Sequence, residues 1–135
     1  MSSQLSEIKW VRVVLTAIVV FMASFLAVTL VVTGYASVLA FQARGAPDQA
    51  MINAFANQYG PWLGPISLIL FTFLGARHVA RSIDTAVQAN GMAVGVLTSL
   101  INFVVEGARS FSLVSLLTVI LTMAAAWLGS RWVRK

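Results

Sequence analysis

The sequence predicts an all-α fold, an integral membrane four-helix bundle made of two helical hairpins. Three observations predict it. Of 135 residues, 59% are hydrophobic and only 10% are charged, whereas a soluble domain carries about 45–50% apolar and about 25% charged residues. The few charges are spaced so that four uncharged stretches remain, each long enough for the roughly 20 residues of a bilayer crossing. Finally, the basic residues sort onto one side of the membrane that those crossings define.

The first span, about residues 11–41, lies within the 31 uncharged residues between Arg12 and Arg44. At 1.5 Å per residue this is longer than a bilayer core requires, so the span is expected to tilt or to project beyond the lipid. Lys9 and Arg12 ahead of it resemble the start of a signal peptide, with Val38 and Ala40 as a cleavage-like pair. The apolar run exceeds the 7–15 residues of such peptides, and a retained anchor is expected.

A second span is expected over about 61–79. Gly60, Pro61 and Pro65 read as a break, with Pro61 in the first helical turn, where its missing N–H costs nothing. Before the break, Met51, Ile52, Phe55 and Tyr59 recur at spacings of three and four among polar residues. That pattern predicts a short interfacial helix over about 48–59.

The third span, about 86–105, is bounded by Asp84 and Glu106. Thr98, Ser99, Asn102 and two glycines make it the least apolar of the four, better placed inside the bundle than facing lipid. After a tight turn near Glu106 to Arg109, the fourth span occupies about 111–131.

Orientation follows from Lys9, Arg12, Arg77, Arg81, Arg131, Arg134 and Lys135, which share one side, against Arg44 and Arg109 on the other. Both termini are therefore expected in the cytoplasm of a bacterial cell, the chain being a multi-pass protein of the inner (plasma) membrane. Trp10 and Trp132 fall at the inner interface, Tyr59 and Trp62 at the outer one. The formal net charge of +5 is then wholly on the inner side, as seven basic residues against Glu7 and Asp84. Topology accounts for it without a nucleic-acid partner.

The segment Phe73 to Arg81 can be laid against Trp127 to Lys135 at a constant offset of 54, with Gly75 on Gly129 and Arg77 on Arg131. Both segments end a helix running from outside to inside, so a duplication would relate two hairpins in parallel. The alternative is that glycine, aromatic and basic residues are common wherever a helix leaves the inner face. Gly75-Ala76-Arg77, a short polar turn, then Gly91 and Gly95 resemble the YrzE-like small four-span bacterial membrane proteins of unknown function. The resemblance covers about half the chain, and the long Gln42 to Gly60 segment departs from it. It implies four helices and bacterial origin, and no activity.

Gly91, Gly95, Ser99, Asn102 and Glu106 recur at spacings of four, four, three and four, on one face of the third span. Such a stripe serves either as a seam for close helix packing or as the wall of a solute path. The seam is preferred, because the middle of the stripe is glycine and not an ionisable group. Two further small-residue stripes agree: Ser115, Thr118, Thr122, Ala125 and Gly129 on the fourth span, and Val20, Ala23, Ala27 and Gly34 on the first.

His78, the one histidine, is a candidate ligand to a cofactor in a larger assembly, or an ordinary interfacial histidine among arginines. No cysteine is present, which excludes disulfides and thiolate chemistry. Asp48, Asp84, Glu106 and Arg109 fall into no catalytic spacing, and the lysines sit only near the chain ends, away from any intramembrane serine. Expected, therefore, is a non-enzymatic protein without cofactor or metal. It would work by helix packing as an accessory, assembly or stabilising subunit of a larger membrane complex, or as a homo-oligomer. A small channel, transporter or holin-like pore with the third span lining the path is the alternative.

Overall fold

The computed structural model describes residues 7–106 and 112–133, apart from the side chain of Glu106. Arg109, Arg134, Lys135 and the turn expected after Glu106 lie outside the described residues. Four helices follow in order: α1 Trp10–Ala43, α2 Gln49–Arg81, α3 Val87–Glu106 and α4 Leu113–Arg131. Each is long and apolar enough to cross a membrane, so the chain is a multi-pass membrane protein with the four spans its sequence predicts.

Local chemistry explains where the helices stop. At the end of α1, Arg44 turns into the left-handed region at φ 53°. Its N–H donates to the carbonyl of Phe41, and the N–H of Gly45 donates to that of Ala40. This pair of bonds closes a helix C-terminus by satisfying its orphan carbonyls. Asp48 then caps α2, its Oδ1 accepting from the Ala50 N–H at 2.8 Å, and Ser112 caps α4 by accepting from the Ser115 N–H at 3.2 Å.

The break expected at Gly60 and Pro61 does not form. Pro61 and Pro65 both lie inside α2, which runs unbroken for 33 residues, so the predicted interfacial helix over 48–59 is the first part of the same rod. The reason lies in the residues before the prolines. A proline clashes with the Cβ of its predecessor and drives it out of helical geometry, but here both predecessors, Gly60 and Gly64, have no Cβ. The prolines still supply no N–H to the carbonyls of Asn57 and Pro61, a loss that membrane helices tolerate when neighbouring structure compensates.

The two hairpins pack so that α2 meets all three other helices, while α1 and α4 lie across the bundle and barely touch. The helices are aligned at the end that carries Lys9, Arg12, Arg77, Arg81 and Arg131, called here the basic end. Three contacts set this register. The Lys9 N–H donates to Asn90 Oδ1 at 2.8 Å, Arg12 Nη1 donates to the Ser82 carbonyl at 2.7 Å, and Gly91 abuts Ser130. Val13, Val79, Ile83 and Val94 form the apolar core there.

Because α1 and α2 have 34 and 33 residues against 20 and 19 in α3 and α4, the first hairpin outreaches the second at the opposite, distal end. At 1.5 Å per residue the excess is about 20 Å. Tyr35 and Phe55 hold this projection together with stacked rings 4.1 Å apart, and Tyr59 packs on Phe55 at 4.8 Å. Ring pairs of this kind add about 0.5–1.5 kcal/mol beyond the area they bury.

Candidate functional site

The stripe expected on the third span is divided by the structure into two parts with different surroundings. In the basic half, Gly91 and Gly95 form a seam against α4. A Cβ added to Gly91 would lie 2.4 Å from the Cβ of Ser130, and one added to Gly95 would lie 2.6 Å from that of Ala126. Two more glycines make equally close approaches. A Cβ on Gly75 would meet Val20 of α1 at 2.4 Å, and one on Gly129 would meet the Phe73 carbonyl oxygen of α2 at 2.4 Å. Each of these glycines lets two helix backbones come closer than any side chain would allow.

Beside the seams lies a layer of threonines. Thr72, Thr98 and Thr122, from α2, α3 and α4, have no exposed surface, and none of their hydroxyls has a hydrogen-bond partner among the described residues. A helical threonine ordinarily donates to the carbonyl four residues back, as Thr118 does to Val114. Of these threonines only Thr122 belongs to a stripe expected from the sequence. Hydropathy cannot distinguish a threonine in a seam from one facing lipid.

In the distal half the helices diverge around a cavity of about 210 Å³ walled by all four of them. Asn102 borders it from α3, Ser24 from α1, Leu68 from α2 and Thr118 from α4. Ser99 stands between the two regions, half-buried, its hydroxyl without a partner among the described residues. Glu106 closes α3, but the position of its carboxylate lies outside the described residues. The stripe is therefore a seam at Gly91 and Gly95 and a cavity wall at Asn102.

The stripe expected on α4 is the packed face: Thr118, Thr122, Ala125 and Gly129 are buried. The one expected on α1 is corrected. Its buried face runs Val13, Ala17, Val20 and Ser24, whereas Ala23 and Ala27 are half-buried and Gly34 is exposed with open space around it. Small residues alone misplace this face because α3 flanks only the basic part of α1, and toward the tip α2 alone accompanies it. The described helical parts of the two stretches related by the offset of 54, Phe73 to Arg81 and Trp127 to Arg131, lie on α2 and α4, which run in the same direction and pack directly on each other. Their glycines face different neighbours, however, Gly75 on α1 and Gly129 on α2.

His78 is exposed and borders a groove between α1 and α2 together with Thr16 and Gly75. No group of three potential metal ligands occurs among the described residues. Of the topology residues, Arg12 and Arg81 are exposed and Arg77 is half-buried, its enclosed Nε without a partner among the described residues. Arg131 places its guanidinium 4.8 Å from the Trp127 ring centre, a cation–π contact. Phe73 and Trp132 meet edge to face at 6.1 Å. Asn90, which in the sequence is only one of the polar residues that weaken the third span, is fully buried, and its amide joins the start of α3 to the start of α1.

No protein-family model, curated protein or solved structure matches this chain.

Proposed function

We propose that this protein is a non-enzymatic component of the bacterial inner membrane that acts by helix packing, as an accessory, assembly or stabilising subunit of a larger complex or as a homo-oligomer. The observation that carries the reading is the unequal length of the hairpins. Beyond Ser24 no residue of α1 is buried, and Leu30, Val31, Val38 and Phe41 are exposed there, Phe41 at 86%. A helix of 34 residues is about 51 Å long, against about 30 Å for the hydrocarbon core. Tilts of up to about 40° bring it no closer to that thickness than about 39 Å. The apolar tip of the hairpin therefore reaches the headgroup level, where water competes with lipid for its surface. Covering that tip with another protein removes apolar area from water, at about 25 cal/mol per Å².

In this reading the basic end and both termini lie in the cytoplasm, supported by the excess of Lys and Arg at that end. The likeness to YrzE-like proteins agrees with four spans in a bacterial membrane and adds no activity. The test is photocrosslinking in native membranes from a benzophenone amino acid at position 41 or 38. A crosslink to a second copy or to one discrete membrane protein is expected. Crosslinks to lipid alone, with a strictly monomeric particle in mild detergent, would overturn the reading.

A small pore is the second reading, favoured by the amide of Asn102 at the cavity wall. Through a single chain the path would have to cross the glycine seams and the buried threonine layer of the basic half, so this reading needs several copies. Replacing Asn102→Leu and measuring solute flux in vesicles tests it, with altered permeability expected from a pore.

A further inference from the structure

The cavity in the distal half is one part of a larger cleft. A second opening of about 430 Å³ lies between α2 and α4, and the two share Gly64, Pro65 and Thr118 as walls. The inner part, the throat, is bounded by apolar side chains such as Phe21, Phe25, Val28 and Leu68, with Asn102 among them. The outer part, the mouth, reaches about one turn further toward the distal end, to Gly60 and Pro61 on α2 and Ser112 and Ser115 on α4.

We propose that this cleft binds an uncharged single-chain amphiphile, with its alkyl tail in the throat and a hydroxyl-bearing head in the mouth. Three features of the walls select that chemistry. First, none of the described wall residues is ionisable. Among the described walls a phosphate headgroup would lose hydration without meeting a counter-charge, which disfavours anionic lipids. Second, polarity is graded by depth: Ser112 and Ser115 stand at the distal mouth, while the throat is mostly apolar with Ser24, Asn102 and Thr118 as its polar members, the order in which a lipid of the distal leaflet presents its head and tail. A cavity of about 150 Å³ lined by apolar side chains holds a benzene-sized group, so the throat has room for the end of an alkyl chain.

Third, the cleft offers acceptors to a donating head. Ser24 and Thr118 give their own protons to the carbonyls of Val20 and Val114, so toward the cleft they act as acceptors. At the mouth, Pro65 supplies no N–H to the carbonyl of Pro61, leaving that oxygen short of its helical bond. A hydroxyl satisfies such acceptors, and the amide of Asn102 can donate to a carbonyl or ether oxygen lower on the ligand.

The full-length chain in vesicles, with a monoacylglycerol carrying a diazirine on its chain, provides the test. The expected result is saturable labelling mapped to the cleft walls, with Phe21, Phe25 and Val28 of α1 labelled along with the facing residues of α2, α3 and α4. Unlabelled monoacylglycerol should compete at least tenfold better than a lysophosphatidylglycerol of the same chain length. Val28→Trp, which fills the throat from a half-buried position, should reduce labelling at least tenfold, and Val105→Trp, whose parent residue is 63% exposed, gives an independent filling of the same space. Labelling undiminished in both variants while each keeps wild-type thermal stability, labelling spread evenly over the lipid-facing surface, or equal competition by the anionic lipid would each overturn the proposal. None of these outcomes depends on whether the protein self-associates.

Discussion

At Asn90 one amide makes three connections. Its Oδ1 accepts the Lys9 N–H ahead of α1, and its Nδ2 donates to the carbonyls of Ala86 and Thr85 at 3.0 and 3.4 Å. The turn before α3 is thereby held although Ala86 sits at φ 46°, in the left-handed region that non-glycine residues avoid. Asn90→Ala removes these bonds from a fully buried site and leaves donors and acceptors behind, each costing about 1–3 kcal/mol. Equilibrium unfolding in detergent should show a loss of about 2–4 kcal/mol, and Asn90→Asp should not restore the wild-type value, because a carboxylate cannot donate to the two carbonyls. In the sequence this residue is one polar position in a weak span. Its importance comes from Lys9, 81 positions away, which no local pattern reveals.

Among the helices, glycines of identical sequence appearance perform different tasks. Gly129 rests on the backbone of α2, where an added Cβ meets the Phe73 carbonyl oxygen. Backbone cannot rotate aside, so Gly129→Ala should separate α2 from α4 and cost about 1–3 kcal/mol in the same unfolding measurement. Gly34 has nothing within 4 Å, and Gly34→Ala should be neutral or stabilise by up to about 1 kcal/mol through helix propensity.

Gly60 also has open space around it, yet its role is set by the following proline. Gly60→Ala is expected to be destabilising in the presence of Pro61 and neutral in a Pro61→Ala background, a non-additivity that a double-mutant cycle detects. The existence and rough bounds of four spans were legible from charge spacing and composition. The continuity of α2 was not, because a Gly-Pro pair reads as a break when the helix around it is unknown.

For the whole molecule, the basic end and the projecting hairpin divide the protein into a closed half and an open half. Since the chain has no cysteine, single replacements report topology directly. Gly45→Cys at the tip of the projection should react with a membrane-impermeant maleimide in intact cells, and Ser82→Cys at the basic end only after permeabilisation. The reverse pattern would overturn the cytoplasmic placement of the termini. The same division governs solute passage and ligand binding. The seams and the threonine layer close one half, and the cleft occupies the other.

Composition and charge spacing determined on their own that the chain forms four membrane helices and that one end of the bundle is basic. Both follow from local transfer free energy, which each residue contributes almost independently of the fold. Tertiary structure alone decided which small residues become seams, that Asn102 borders a cavity while Gly91 and Gly95 do not, and that α1 packs on Val13, Ala17, Val20 and Ser24. These depend on the relative lengths and alignment of the helices. A helix face is buried only where neighbours enclose it, and over about the last 20 Å of α1 only α2 accompanies it, because α3 has 20 residues against the 34 of α1.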